Sequence, residues 1–132
     1  MDLRGRPHIV LAWDDAAPTA GRIEDHGDIR RIVLDDRLER VERSITLAHE
    51  LIHDEWNIFY DDDTTDREVE LQERRIWREV ARRLVPPPLL LDFVRRRASV
   101  EPITYEAVAA EFDVDERIAA LALRLVEDEL AA

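Results

Sequence analysis

One pattern constrains this chain more than any other: Leu38, Val41, Ile45, Ala48 and Ile52 recur at alternating spacings of three and four. That period follows one face of an α-helix and no face of a strand. Residues from about Arg37 to Glu55 are therefore expected to form an amphipathic helix, with Asp35 or Asp36 as its N-cap. His49 and His53 each follow a stripe position by one residue, which sets both imidazoles at the edge of the apolar face, one turn apart. Glu50 stands between them. His49-Glu50-Leu51-Ile52-His53 thus reads as an HExxH motif: two ring nitrogens spaced to hold a zinc ion, and Glu50 as the base that polarises the water it activates. The reaction implied is amide hydrolysis.

Such a site needs a third ligand, and the chain has no cysteine to give one. A second helix is expected from about Arg67 to Val85, with Val69, Ile76, Val80 and Leu84 on its apolar stripe and Glu73 in the one remaining stripe position. A carboxylate on an apolar face loses solvation unless it is paired or bound to metal, so Glu73 is the expected third ligand. Glu70, one residue off the stripe, is its rival, and pairing of Glu73 with Arg74 or Arg75 is the non-metal alternative. Between the helices lie the aromatic run Trp56–Tyr60 and the acidic run Asp61–Asp66. Tyr60 is either a group that orients or protonates a substrate or simply a packed aromatic. The acidic run lacks the spacing, glycine and closing glutamate of an EF-hand, and reads as a solvated loop whose Thr65 or Asp66 caps the next helix.

Upstream, His8–Trp13 and Ile29–Leu34 are short β-leaning runs, read as two antiparallel strands, with a weaker third around Gly21–Glu24. Downstream, Pro86-Pro87-Pro88 stops the second helix, because proline lacks the N–H and restrains the residue before it. A short helix follows over Leu89–Arg97, its apolar residues Leu90, Leu91 and Val94 and its cations at the C-terminal end. Next come a helix capped by Thr104 and ending at Phe112, a turn at residues 113–115, and a helix from about Glu116 to Glu129. The last two outline a helix-turn-helix. Ser99–Ala132, however, carries nine acids against two arginines, and the whole chain has a net charge of −12. Nucleic-acid binding needs the opposite sign, so packing is the expected role of this pair. The expectation is an α+β fold in a single domain, with a core over residues 1–98 and a helical tail over 99–132. No stretch is long and apolar enough for a membrane span, the first seven residues lack a leader's apolar core, and the absence of cysteine suits a reducing compartment; the expected location is cytoplasmic.

The residues from about Ile29 to Val126 resemble the ImmA/IrrE-type metallopeptidases, small zincin-like proteins found beside phage and mobile-element repressors. ITLAHELIHDE at Ile45–Glu55 is similar to that family's active-site helix, and ERRIWREVARRLVP at Glu73–Pro86 to its second signature. The resemblance implies a small antiparallel sheet packed on a mainly helical zincin-like domain. It also implies one Zn²⁺ held by His49, His53 and Glu73, with Glu50 as catalytic base, and a protein substrate, typically a DNA-binding repressor or regulator. Ile76 and Trp77 depart from the pattern, in which Ala and then Asp or Asn are usual. Support for the metal-binding histidines is accordingly sought at Trp77, at Asp54 or at a backbone carbonyl. Tyr60 and Tyr105 are the candidates for stabilising the transition state. A non-catalytic interaction module with a structural or vestigial metal site is the alternative function.

Overall fold

The structure, a computed structural model, describes residues 3, 5–15 and 17–131; Met1, Asp2 and Arg4 of the N-terminal stretch, Ala16 and Ala132 lie outside them. Among the described residues it is an α+β fold of three strands and five helices: β1 (Ile9–Asp14), β2 (Gly21–Asp25), β3 (Arg30–Asp35), α1 (Arg40–Trp56), α2 (Asp66–Leu84), α3 (Pro87–Ala98), α4 (Tyr105–Phe112) and α5 (Glu116–Ala131). No helix among these residues is long and apolar enough to cross a membrane. The chain divides within α2 into two compact units, residues 1–73 and 74–132.

In the first unit the strand order is β1-β3-β2, with β1 parallel and β2 antiparallel to β3. This corrects the expected antiparallel pairing of the first and last runs. The weakly signalled Gly21–Asp25 segment is a full strand, so the chain reverses twice before β3, and β3 runs alongside β1 in the same direction. The middle position suits β3: its consecutive Ile32, Val33 and Leu34 are all buried, as a strand covered on both faces requires. Helix α1 packs on β2 and β3, and Leu51 joins Ile32 and Leu34 in a core flanked by Leu3, Ile9, Leu11, Ile23 and Leu47. Gly21 lies where β2 meets α1; a Cβ there would stand 2.6 Å from the Thr46 methyl group, so any larger residue forces a shift between strand and helix.

The capping of α1 also differs from expectation. The helix opens at Arg40, and its N-cap Glu39 makes no side-chain capping bond. Asp35 is still in β3, opposite Asp14, and its carboxylate accepts from the Arg37 backbone and guanidinium instead. The α2 cap follows the sequence: Thr65 accepts from the Glu68 N–H while Glu68 accepts from the Thr65 N–H, a reciprocal capping box. The acidic loop before it is tied by its own turn, in which Asp61 accepts from the Asp63 N–H and the Thr64 hydroxyl.

In the second unit, α5 packs against α4 and α3. Pro86 and Pro87 start α3 instead of merely ending α2, Pro87 occupying a first-turn position where no N–H is needed. Phe93 of α3 and Phe112 of α4 meet edge to face at 6.1 Å, and Val108, Ile118, Ala122 and Val126 are buried. Thr104 caps α4 as expected, accepting from the Ala107 N–H.

Candidate metal centre

The apolar stripe of α1 faces the sheet and sets the motif at its edge: His49 is half-buried, and Glu50 and His53 are buried. Helix α2 brings Glu73 to the same place. His49 Nε2 donates to Glu73 Oε1 at 2.7 Å, and His53 Nε2 lies 3.0 Å from Glu73 Oε2. Both imidazoles therefore turn the same ring nitrogen toward one carboxylate. Glu70, the rival ligand, is exposed.

The opposite ring nitrogens are held as well. His49 Nδ1 is 3.1 Å from Glu50 Oε1, and His53 Nδ1 donates to the Ile58 carbonyl at 2.8 Å. The second bond arises from how α1 ends. Asn57 takes the left-handed conformation (φ 53°, ψ 46°), its N–H donates to the Asp54 carbonyl, and the Ile58 N–H donates to the His53 carbonyl. This is a Schellman cap, which asparagine tolerates better than most side chains. It folds the chain back so that residue 58 closes a ring of two hydrogen bonds with residue 53.

The Glu73 carboxylate and the Ile58 carbonyl are acceptors, so the contacts they make favour the protonated form of each imidazole. Burial by itself pushes the His49 imidazolium toward neutrality, but the Glu50 and Glu73 carboxylates outweigh it and raise its pKa to about 9. His53 moves the same way: burial opposes the charge, and the Glu73 carboxylate and Ile58 carbonyl override it. For Glu73, burial favours the acid form, yet hydrogen bonds from His49, His53 and Tyr60 hold it well below the usual carboxylate range. Tyr60 donates to Glu73 Oε2 at 2.7 Å; burial and that carboxylate hold its phenol above its ordinary value.

His49, Glu50 and His53 alone bring ligand atoms within 4.8 Å of one another, a group that could hold a metal ion. With Glu73 the donors are two imidazole Nε2 and one carboxylate. That is a set used by catalytic zinc sites, where neighbouring ligand atoms stand about 3.3 Å apart around the ion. The observed contacts from the two Nε2 to the Glu73 carboxylate, 2.7 and 3.0 Å, lie near that spacing. The donor set fits zinc.

The cluster opens on a cleft of about 440 Å³ lined by Arg22, Ile23, Ile58, Phe59, Tyr60 and Val69 besides the motif residues and Glu73. Ile23 lies on an edge strand. The ladder bonds Asp35 N–H to Ala20 carbonyl and His26 N–H to Ile29 carbonyl fix the alternation of β2, so Arg22 and Glu24 pair with β3 while the Ile23 N–H and carbonyl face the free edge.

Other expected residues lie elsewhere. Asp54 is buried among His8 (2.9 and 3.0 Å), Arg30 (3.0 Å) and Arg6 (3.9 Å), beside a 690 Å³ cavity whose wall charges are paired. Of the three sources of support considered, the backbone carbonyl is the one joined to a motif histidine. Trp77 and Tyr105 belong to the second unit, where Trp77 lies under the Arg117 guanidinium at 4.4 Å and Tyr105 opens α4 half exposed. The sequence reading missed Arg22, Ile23 and Arg30, whose only signal was a place in the strands; Asn57, at the end of a helical stripe, was the legible sign of the cap. Comparison of the chain with family models, with curated proteins and with solved structures finds no match.

Proposed function

We propose that the protein is a zinc-dependent endopeptidase of the zincin type, akin to the ImmA/IrrE-type enzymes, acting in the cytoplasm on a DNA-binding repressor or regulator. The observation that carries this reading is the convergence of His49 Nε2, His53 Nε2 and the Glu73 carboxylate on one point, with Glu50 beside it at the mouth of a cleft. His49, His53 and Glu73 would hold the ion. When bound, zinc supplies Lewis acidity toward the scissile carbonyl and makes water acidic enough to attack near neutral pH. The chain does the rest. Glu50 takes a proton from the attacking water and delivers it to the leaving amine. Tyr60, its hydroxyl already at the metal-ligand carboxylate, donates toward the developing oxyanion. The outward N–H and carbonyl of Ile23 hold an extended substrate by adding a strand to β2.

The test is Glu50→Gln. Zinc content, measured by plasma emission, should stay at one per chain, while cleavage of a repressor encoded beside this protein falls by about 10²-fold or more. Unchanged cleavage removes Glu50 as the base. A partner that is bound but left intact by the wild-type, zinc-loaded protein points to the non-catalytic interaction module.

A further inference from the structure

We propose that Arg30, on β3, is the positioning residue of this site, holding the Ile58 carbonyl against His53 and so aiming the His53 Nε2 at the metal. The role in zinc binding rests on the metal-site reading above; the positioning itself does not. The argument starts from the loop. Residues Asn57–Tyr60 supply the carbonyl that fixes His53 and the hydroxyl that reaches Glu73, yet Asn57 and Tyr60 are exposed, and a chain segment of this kind does not hold a carbonyl in place unaided.

Arg30 binds the end of α1 and that segment through three residues, Asp54, Asn57 and Phe59. Its Nη1 donates to the Asp54 backbone carbonyl at 2.9 Å and to Asp54 Oδ1 at 3.0 Å, its Nη2 donates to Asn57 Oδ1, and its guanidinium carbon lies 4.7 Å over the centre of the Phe59 ring. The last carbonyls of a helix have no partner within it, and the left-handed Asn57 depends on its surroundings; one planar guanidinium serves both and stacks on the next aromatic. Ile58 is thereby bracketed by two residues that Arg30 touches. Arg30 is itself anchored: its N–H donates to the His8 carbonyl of the central ladder, and its Nε faces Asp25 at 3.7 Å. The buried Asp54 is the counter-charge that draws it in, with His8 satisfying the same carboxylate from the other side.

The decisive variant is Arg30→Lys. It keeps a positive charge opposite Asp54, so the fold is retained, but an ammonium cannot bridge Asp54 and Asn57 while lying flat on Phe59. Nitrogen-15 NMR of the metal-free protein follows exchange of the His53 Nδ1 proton with water, and a chelator competition gives zinc affinity. In Arg30→Lys the Nδ1 proton should exchange about tenfold faster and zinc should bind about tenfold more weakly, with Arg30→Ala larger in both and Arg31→Ala, the exposed neighbour, like wild type. An unchanged His53 Nδ1 proton in folded Arg30→Lys overturns the proposal. A wild-type protein that takes up no zinc while its Nδ1 proton still depends on Arg30 overturns the metal reading and leaves the positioning role standing.

Discussion

At the residue scale the two imidazoles and the Glu73 carboxylate meet at one place and hold one another toward their charged forms. This sets a pH dependence with a definite sign. The raised pKa of His49 stabilises the metal-free fold fully below pH 6.5, and that contribution is lost as pH rises toward about 9. The depressed pKa of Glu73 contributes above its ordinary 4.5 and is lost in acid as pH falls through its lowered value. Metal-free protein should therefore melt at a lower temperature at pH 9 than at pH 6. Zinc binds the deprotonated rings, so the rise in melting temperature on saturation should instead be greater at about pH 8 than at about pH 6. Calorimetric titration in buffers of different ionisation enthalpy should register protons released on zinc uptake. Glu73→Ala should weaken zinc by more than about 100-fold, because a direct ligand contributes more than the outer partners whose loss costs about 10–100-fold, while Glu70→Ala changes it little. Tyr60→Phe keeps the ring and removes the donor; about a tenfold or greater loss in kcat with modest change in zinc affinity is expected.

At the scale of elements, α1 is positioned from both ends. Its start is delayed because Asp35 remains in β3, and its end is turned by a left-handed residue. Asn57→Gly should keep the cap, because glycine accepts positive φ freely, yet weaken zinc binding by losing the Asn57 Oδ1 contact to Arg30; Asn57→Val should lose the cap and lower both stability and zinc affinity. Urea unfolding and chelator competition measure the two. Gly21→Ala should cost about 1–3 kcal/mol by overpacking against Thr46, read from the shift in urea midpoint. The stripe of α1, the capping box of α2 and the Thr104 cap were legible because each is set by neighbours within one or two turns. The strand pairing was not. The apolar residues of β1 and β3 mark them as strands, but whether they run parallel depends on Gly21–Asp25, whose alternation is too weak in five residues to declare itself.

For the whole molecule, the charge of −12 outweighs the helix-turn-helix outline of α4 and α5. Non-specific affinity for duplex DNA should be weaker than about 10⁻⁴ M at physiological salt, without the steep salt slope of phosphate contacts, as fluorescence anisotropy would show. By itself the sequence determined the helices, the caps of α2 and α4, the candidate pair His49 and His53 with Glu50 between them, and Glu73 as a polar break in an apolar stripe. These follow from backbone periodicity and from the cost of burying charge, both local rules. Only the tertiary structure decided that Glu73 lies between the two rings and Glu70 does not, that Asp54 serves Arg30 and His8, and that a main-chain carbonyl holds His53. Those partners are distant in sequence or belong to the main chain, which every residue shares, so no pattern of side chains announces them.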